Sequence, residues 1–435
     1  MLAALDRVWS RIWFQDRSTS PLELARIGVG VALLSHYALA TPYLFAFWGD
    51  DGWMPRELVT STASWWVDDR AAWRQSIFLY FTAPWQWVAF HALFLLCCTA
   101  LMIGWRTRWV KWIVLIGQIS YDYRNPNLAN GVDQILACLL LILCLAPIGR
   151  AMSLDRVRAV RAVKRLKPEA TLPRYTSPWA GACTRLMQIQ MALLFFGSGL
   201  AKLGNEWWTG DAVWLVFTQH EYYQPLLLDL LARQYWMVNV ASWATVVIEI
   251  AFPFLIWQRR TRPFLLTDAI FLHLMFAFLM GLFYFSFVMI MGHMSFVRPE
   301  WLTRLGEAWK RKVGDMEMIY DGKCGVCVRS VAWFLSFDGL GQIKVRDFRT
   351  NPSPAIGDAQ LERALCLVLP DGRTLPGFEA YRHVVLRVPG LWWQVPFFHV
   401  PVLSRLIGRR LYDWIAANRR RLSSVRTGSL QPVSE

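Results

Sequence analysis

Charge is scarce in this 435-residue chain. Only 18% of its residues are charged and 55% are hydrophobic, whereas a soluble domain carries about 25% charged residues. That excludes a single water-soluble globule as the whole architecture. A disulfide framework is lacking too. Of the eight cysteines, Cys97, Cys98, Cys138, Cys144 and Cys183 lie in or beside apolar stretches and read as small core hydrophobes. Only Cys324 and Cys327 sit close together in polar surroundings. Residues 1–20 lack an apolar core followed by a small-residue cleavage site, so no cleavable signal peptide is read there. Acidic residues are the minority sign: 31 Asp and Glu face 46 Lys and Arg, a net +15. The arginines fall in short runs between apolar stretches. They read as the cytoplasmic loops of a membrane protein, not as a nucleic-acid footprint.

Tryptophan is in excess, with 25 residues, and tryptophan gathers at membrane interfaces. A span needs about 20 apolar residues. Candidate spans fall near 22–45, 84–104, 108–123, 130–148, 185–203, 235–257 and 264–297, with 73–81 as a further short helix. As one helix, the last span would reach roughly 50 Å against a hydrocarbon core of about 30 Å. Gly281 near its middle predicts two shorter helices, for about seven to eight spans in all.

Loop charges set the orientation. Arg106, Arg108 and Lys111 follow one span, Arg150 to Arg174 another, and Arg259, Arg260 and Arg262 a third. The alternate loops hold Asp50, Asp51, Asp68 and Asp69. The positive-inside rule places the basic loops in the cytoplasm. Both termini are then cytoplasmic, provided 264–297 crosses twice. Met1 to Phe14 reads as an amphipathic interfacial helix, with Leu5, Val8, Trp9, Ile12 and Trp13 opposite Arg7 and Arg11.

Beyond about residue 314 the pattern changes to that of a small α/β domain. Glu317 to Asp321 reads as a strand, Cys327 to Phe337 as a helix, Gln342 to Phe348 and Ala364 to Leu369 as strands, and Pro370-Asp-Gly-Arg373 as a turn. Helical pattern returns at Phe378 and over Val402–Arg420. Strand, Cys-x-x-Cys, helix, strand opens a thioredoxin-like domain. The expected fold is thus mainly α: a polytopic transmembrane bundle over 21–305, preceded by an interfacial helix (1–20), and followed by a thioredoxin-like α/β domain (315–421) and a disordered tail (422–435).

Asp321-Gly-Lys-Cys324-Gly-Val-Cys327 sits at the strand-to-helix junction. Two intervening residues let both sulfurs meet at a helix N-terminus, where unpaired N–H groups and the dipole favour a thiolate. Cys324 is expected to be the more exposed and to attack, with Cys327 resolving and Lys323 adding positive charge. Half of a zinc site and an inert pair are the alternatives. No second Cys-x-x-Cys follows, and His383 and His399 are distant. The Asp321, Cys324, Cys327 pattern resembles the DCC family of thiol–disulfide oxidoreductases over about residues 316–421. Gly377-Phe-Glu-Ala380 and the closing Leu411-Tyr-Asp-Trp…Asn418-Arg419 segment are part of that resemblance. It implies a thioredoxin-like fold and redox activity. Pro376 is the candidate for a proline facing the cysteines.

In the membrane part, Gly199-Leu-Ala-Lys202-Leu203 leads to Trp207 and Gly210 at the close of a long apolar run. A lysine there needs a reason: it either snorkels to the interface or acts as a base. The pattern looks like the HTTM family, the membrane domain that includes vitamin K-dependent gamma-carboxylase. Arg124-Asn-Pro-Asn127, Ser153-Leu-Asp155, Glu249 with Pro253, and His273 with Gly281 extend the likeness over about residues 16–305. In the carboxylase the lysine matching Lys202 is the proposed base that deprotonates the hydroquinone, so the resemblance implies a quinone or lipid-like ligand near Lys202. The Arg124–Gly131 loop has no histidine where the carboxylase places one, and the redox domain replaces the carboxylase's lumenal region. Glutamate carboxylation is therefore not expected.

Glu249, Asp268 and His273, ionisable in apolar segments, are expected to face the bundle interior beside a partner. His36 and His91 read as satisfied core or interface histidines, and Asn130, Asp133 and Gln134 as helix caps. The leading functional expectation is a thiol–disulfide oxidoreductase, of the protein-disulfide reductase kind, at the inner membrane. Its partners would be the lipid bilayer and a thiol or disulfide redox partner. The alternatives are a quinone-dependent carboxylase- or epoxidase-like enzyme centred on Lys202, and a non-enzymatic transporter or immunity-type protein with a redox sensor. Loop charges put Lys202 at the outer face and the cysteines inside.

Overall fold

The computed structural model describes residues 9–10, 12–62, 76–219, 222, 225–353, 356–362 and 364–423. Most of the expected interfacial helix, Asp68 and Asp69, the start of the 73–81 stretch and the tail from 424 lie outside the described residues. The chain divides into two compact units: residues 1–155 with 174–299, and residues 156–173 with 300–435.

The first unit is helical. Its main helices are α1 (Ser20–Ala40), α2 (Pro84–Ile103), α3 (Thr107–Arg124) and α4 (Gly131–Leu145). Helix α5 (Leu154–Leu166) belongs almost wholly to the second unit. The first unit continues with α6 (Pro178–Ala201), α7 (Tyr235–Leu255), α8 (Arg262–Met280) and α9 (Phe283–His293). Ser20–Trp48, α2, α7 and α8 are long and apolar enough to cross a membrane. The expected break in the 264–297 stretch is present. Gly281 takes a left-handed φ of +70°, a conformation open to glycine at little cost, and it separates α8 from α9. Tyr284 stacks on His36 late in α1 at 4.5 Å. Met291 packs where any side chain on Gly28, early in α1, would stand. Helix α9 therefore runs antiparallel to α1 and returns the chain to the end of the bundle where α1 begins.

That end is tied by a buried ion pair. Arg26 and Glu23 are both fully buried and meet at 2.7 Å. Arg26 also donates to the carbonyls of Leu101, Met102 and Met152, while Glu23 accepts from the N–H of Arg150 at 2.8 Å. At the other end Arg124 donates to the carbonyls of Met54 and Gly49 at 2.7 and 2.6 Å, and Asn125 to that of Phe47. The Arg124-Asn125 pair thus clamps the loop after α1. His91 is satisfied by Tyr121 and Thr41, and Asn130 and Asp133 cap α4.

In the second unit, α10 (Pro299–Val313) leads to β1 (Met316–Tyr320), α11 (Gly325–Phe337), β2 (Ile343–Asp347), β3 (Cys366–Val368), β4 (Thr374–Pro376) and α12 (Gly377–Arg387). The sheet order is β2-β1-β3-β4. β1 and β2 are parallel, joined through α11, and β3 and β4 form an antiparallel hairpin. Met318, Val331, Leu367, Val384 and Leu391 are buried together between sheet and helices. The Val402–Arg420 stretch, expected as one helix, is broken. A π-helical stretch over Ser404–Arg409 precedes α13 (Arg410–Ala417), and α14 (Arg419–Ser423) follows. Gly408 in the widened turn lies against the Phe378 ring and the Phe397 carbonyl, an approach a side chain would obstruct.

Arg26→Met should strand Glu23 as a buried uncompensated charge, at a cost of about 3–5 kcal/mol. Thermal unfolding in detergent should show the loss, and the double variant Glu23→Gln/Arg26→Met should recover most of it.

Candidate functional site

The redox motif is built on a rigid turn. Cys324 is the N-cap of α11, with φ −91° and ψ 107°, and its N–H donates to the Asp321 carbonyl at 3.1 Å. The Asp321 carboxylate accepts from the Lys323 N–H at 3.0 Å and from Arg349 Nε and Nη2, both at 3.2 Å. Arg349 also pairs with Glu362 at 3.0 Å. Asp347 at the end of β2 accepts from the N–H groups of Gly322 and Arg349 at 3.0 Å each. A side chain at Gly322 would collide with that carboxylate. Burial alone would push the Asp321 carboxyl up, but the Arg349 fork and the Lys323 N–H outweigh it and hold it below the usual carboxylate range. Asp321 is therefore an ionised strut that fixes the turn.

Both sulfurs are buried: Cys324 is 9% exposed and Cys327 7%. Exposure hardly separates them, Cys324 being the more exposed by a small margin. Charge distinguishes the two thiols instead. The hydrogen bond from Cys327 is the largest influence on Cys324; together with the nearby N–H groups of Cys327 and Val326 and the Arg419 charge, it overcomes burial and lowers the Cys324 thiol to about 6. Those N–H groups lie too far away for a formal cap hydrogen bond. The same thiol–thiol bond, followed by burial, pushes Cys327 far up. The two thiols are thus driven in opposite directions, Cys324 towards the thiolate and Cys327 towards the protonated thiol. A cationic charge also comes from a residue distant in sequence: Arg419, at the start of α14, acts on both sulfurs. Helix α14 is docked on α11 by the bond from Arg329 to the Leu422 carbonyl at 2.8 Å. Tyr381 and Tyr412, ring centroids 5.4 Å apart, also lie within electrostatic reach of the thiols. Pro376 ends β4 opposite Cys366. Asp347, Arg349 and Arg419 carried no local signal that sequence spacing could expose.

In the membrane unit, Lys202 caps α6. Its ammonium meets both Glu249 oxygens, at 3.0 and 2.7 Å, and bonds the Ser198 hydroxyl. The Trp207 ring centroid lies 5.4 Å away. Lys202 therefore does not snorkel; its donors point into the bundle. A Cβ on Gly199 would stand 2.8 Å from Ile250 Cγ1 and 3.1 Å from Glu249 Cβ, so the glycine allows α6 and α7 to approach closely enough for the pair. His273 does not join this cluster. It faces His293 at 5.6 Å, ringed by Phe195, Phe276 and Phe285. Both its ring nitrogens and His293 Nε2 are buried without a hydrogen-bond partner. Asp268 departs from expectation. The buried face of α8 carries Leu266, Ala269, His273 and Ala277, and at helical spacing Asp268 lies opposite. It lines a shallow surface groove with Pro263, Phe264, Thr267 and Phe271.

Cys324 alkylation should rise with pH through a midpoint near 6 and level off above it, since only the thiolate reacts. Cys327→Ala and Arg419→Met should each move the midpoint up, the former more. A wild-type midpoint near 8.5, the ordinary thiol value, would defeat the assignment.

Comparison with known proteins agrees with this division of the chain. The HTTM domain matches residues 51–301, more than half of the chain, and the DCC1-like thiol-disulfide oxidoreductase family matches residues 318–425. The uncharacterized protein YitO of Bacillus subtilis (strain 168) is 26% identical over 212 residues, which cover 47% of this chain and 63% of YitO, less than two thirds of that relative's length. No solved structure matches. The chain belongs to the HTTM-domain family, and its residues 318–425 match the DCC1-like thiol-disulfide oxidoreductase family.

Proposed function

We propose that the protein is a protein-disulfide reductase whose dithiol works on the cytoplasmic side of the inner membrane. The single observation that carries this reading is the charge asymmetry between Cys324 and Cys327. The Cys324 thiolate attacks a substrate disulfide, forming a mixed disulfide and releasing one substrate thiolate. Cys324 then no longer accepts the hydrogen bond from Cys327. The Cys327 proton passes to the departing sulfur as Cys327 attacks Cys324. The substrate disulfide gains two electrons, the Cys324–Cys327 pair becomes the disulfide, and a thiol redox partner must return the electrons.

The cytoplasmic address is supported by the basic segment 156–173, which lies in the same compact unit as residues 300–435. Arg161 stacks on Trp333 at 4.9 Å. That grouping supports placing the redox domain on the same side as the basic loop, and the loop charges favour the cytoplasm for it.

A second reading is favoured by the Lys202–Glu249 pair: a lipophilic ligand, such as a quinone, handled by acid–base chemistry in the membrane unit. To take a proton from a hydroquinone, Lys202 must first pass one on, and Glu249, within 2.7 Å, is placed to receive it.

Cys324→Ser should abolish disulfide reduction, while Cys327→Ser should accumulate a mixed disulfide with substrate. In intact cells an impermeant maleimide should reach Cys324 only after permeabilisation. Full turnover in Cys324→Ser would end the first reading. For the second, membranes given a reduced naphthoquinone should yield an oxygenated product that Lys202→Ala and Glu249→Gln both lose; absence of product would remove it.

A further inference from the structure

Helix α10 is amphipathic, and only part of its apolar side is covered by the rest of the unit. Trp301, Leu302, Leu305, Ala308 and Trp309 recur at helical spacing on one side, which Lys312 closes, and Lys310 and Arg311 lie away from them with Arg304 at the border. No residue of the helix is buried, and Leu305 is 71% exposed. The apolar stripe continues into the rest of the unit. Trp309 touches Trp392, ring centroids 5.4 Å apart. The two indole N–H groups donate to the carbonyls of Arg387 and Leu386 at 2.9 Å each. With those donors occupied, the rings present apolar surface outward, and Trp392 and Trp393 remain 48% and 56% exposed. The surroundings are basic. Residues 156–173 and 300–435 together hold 26 Lys and Arg against 14 Asp and Glu.

We propose that this aromatic face, rimmed by lysine and arginine, seats on the headgroup layer of an anionic lipid bilayer, with α10 lying in the interface plane. An apolar stripe bearing Trp and Leu, set against a cationic face, is the pattern of helices that lie in membrane interfaces, and tryptophan is at home at that depth. The chain offers little alternative, because α10 starts just beyond the apolar stretch ending at Phe296. An anionic leaflet attracts the basic rim, whereas a second copy would bring an identical positive rim against it. One consequence rests on the redox reading above; the seating itself does not. Trp333 lies beside Trp393 of this face, ring centroids 6.4 Å apart, and Cys324 precedes it on the same helix by nine residues, about 14 Å of helical rise. The dithiol is then held close to the headgroups, and its preferred disulfides are those of membrane-bound substrates.

The test is hydrogen exchange of the full-length protein, one copy per nanodisc, in phosphatidylcholine alone or with one third phosphatidylglycerol. Amides of 299–313 and 389–403 should exchange about tenfold more slowly in the anionic discs, and Leu305→Glu should remove that protection. Exchange that ignores lipid charge would overturn the proposal. So would protection that appears only with two copies per disc, which would identify a second chain as the occupant. A Cys324 alkylation midpoint still near 6 in Leu305→Glu confirms an intact redox unit, so loss of seating and loss of the redox reading are read separately.

Discussion

A polar group inside an apolar bundle must find a partner there, because hydrocarbon offers none. Much of the membrane unit is arranged around that constraint. Arg26 holds Glu23 and three backbone carbonyls at one end of the bundle, and Arg124 holds the loop after α1 at the other. Each places a charge where it ties together segments some 75 residues apart in sequence. The same rule places Lys202 on Glu249. What separates that pair from the structural ones is its setting. Lys202 is the cap of a helix, with its side chain 20% exposed and its ammonium 5.4 Å from the Trp207 ring centroid. His273 and His293 are among the exceptions, with three buried ring nitrogens that find no hydrogen-bond partner among the described residues.

The redox unit solves a different problem with similar means. A buried thiolate is costly, yet the surroundings of Cys324 favour one. The thiol three residues further along the helix turn, the start of α11 and Arg419 all act in that direction. The turn that presents it is fixed through charges outside the motif: Asp321 is held by Arg349, and Gly322 and Arg349 by Asp347. The segment after the sheet, broken at Ser404–Arg409, returns α13 and α14 to the motif, so Tyr412 and Arg419 come from the far end of the domain.

Local patterns were legible. Helical runs of apolar residues, the left-handed glycine between α8 and α9, the Cys-x-x-Cys at a strand-to-helix junction and the capping residues of α4 are set by near neighbours, and the sequence states them directly. The gaps arose where neighbours did not decide. The spacing of the motif did not show that both sulfurs are buried, because that depends on packing across the domain. Nor could it show Arg419 near them, because that residue comes from the far end of the domain. Asp268 and His273 both looked interior because both interrupt apolar segments, and only the face of α8 that packs distinguishes them.

By itself, then, the sequence determined that this protein has a membrane bundle and a dithiol at the start of a helix, because period and spacing are properties of short stretches of chain. Tertiary structure decided which lysine meets which glutamate, which arginine reaches the thiols, and which of two buried sulfurs is favoured as the anion. Those depend on side chains brought together from 47 to more than 90 residues apart, and on the desolvation that their packing imposes.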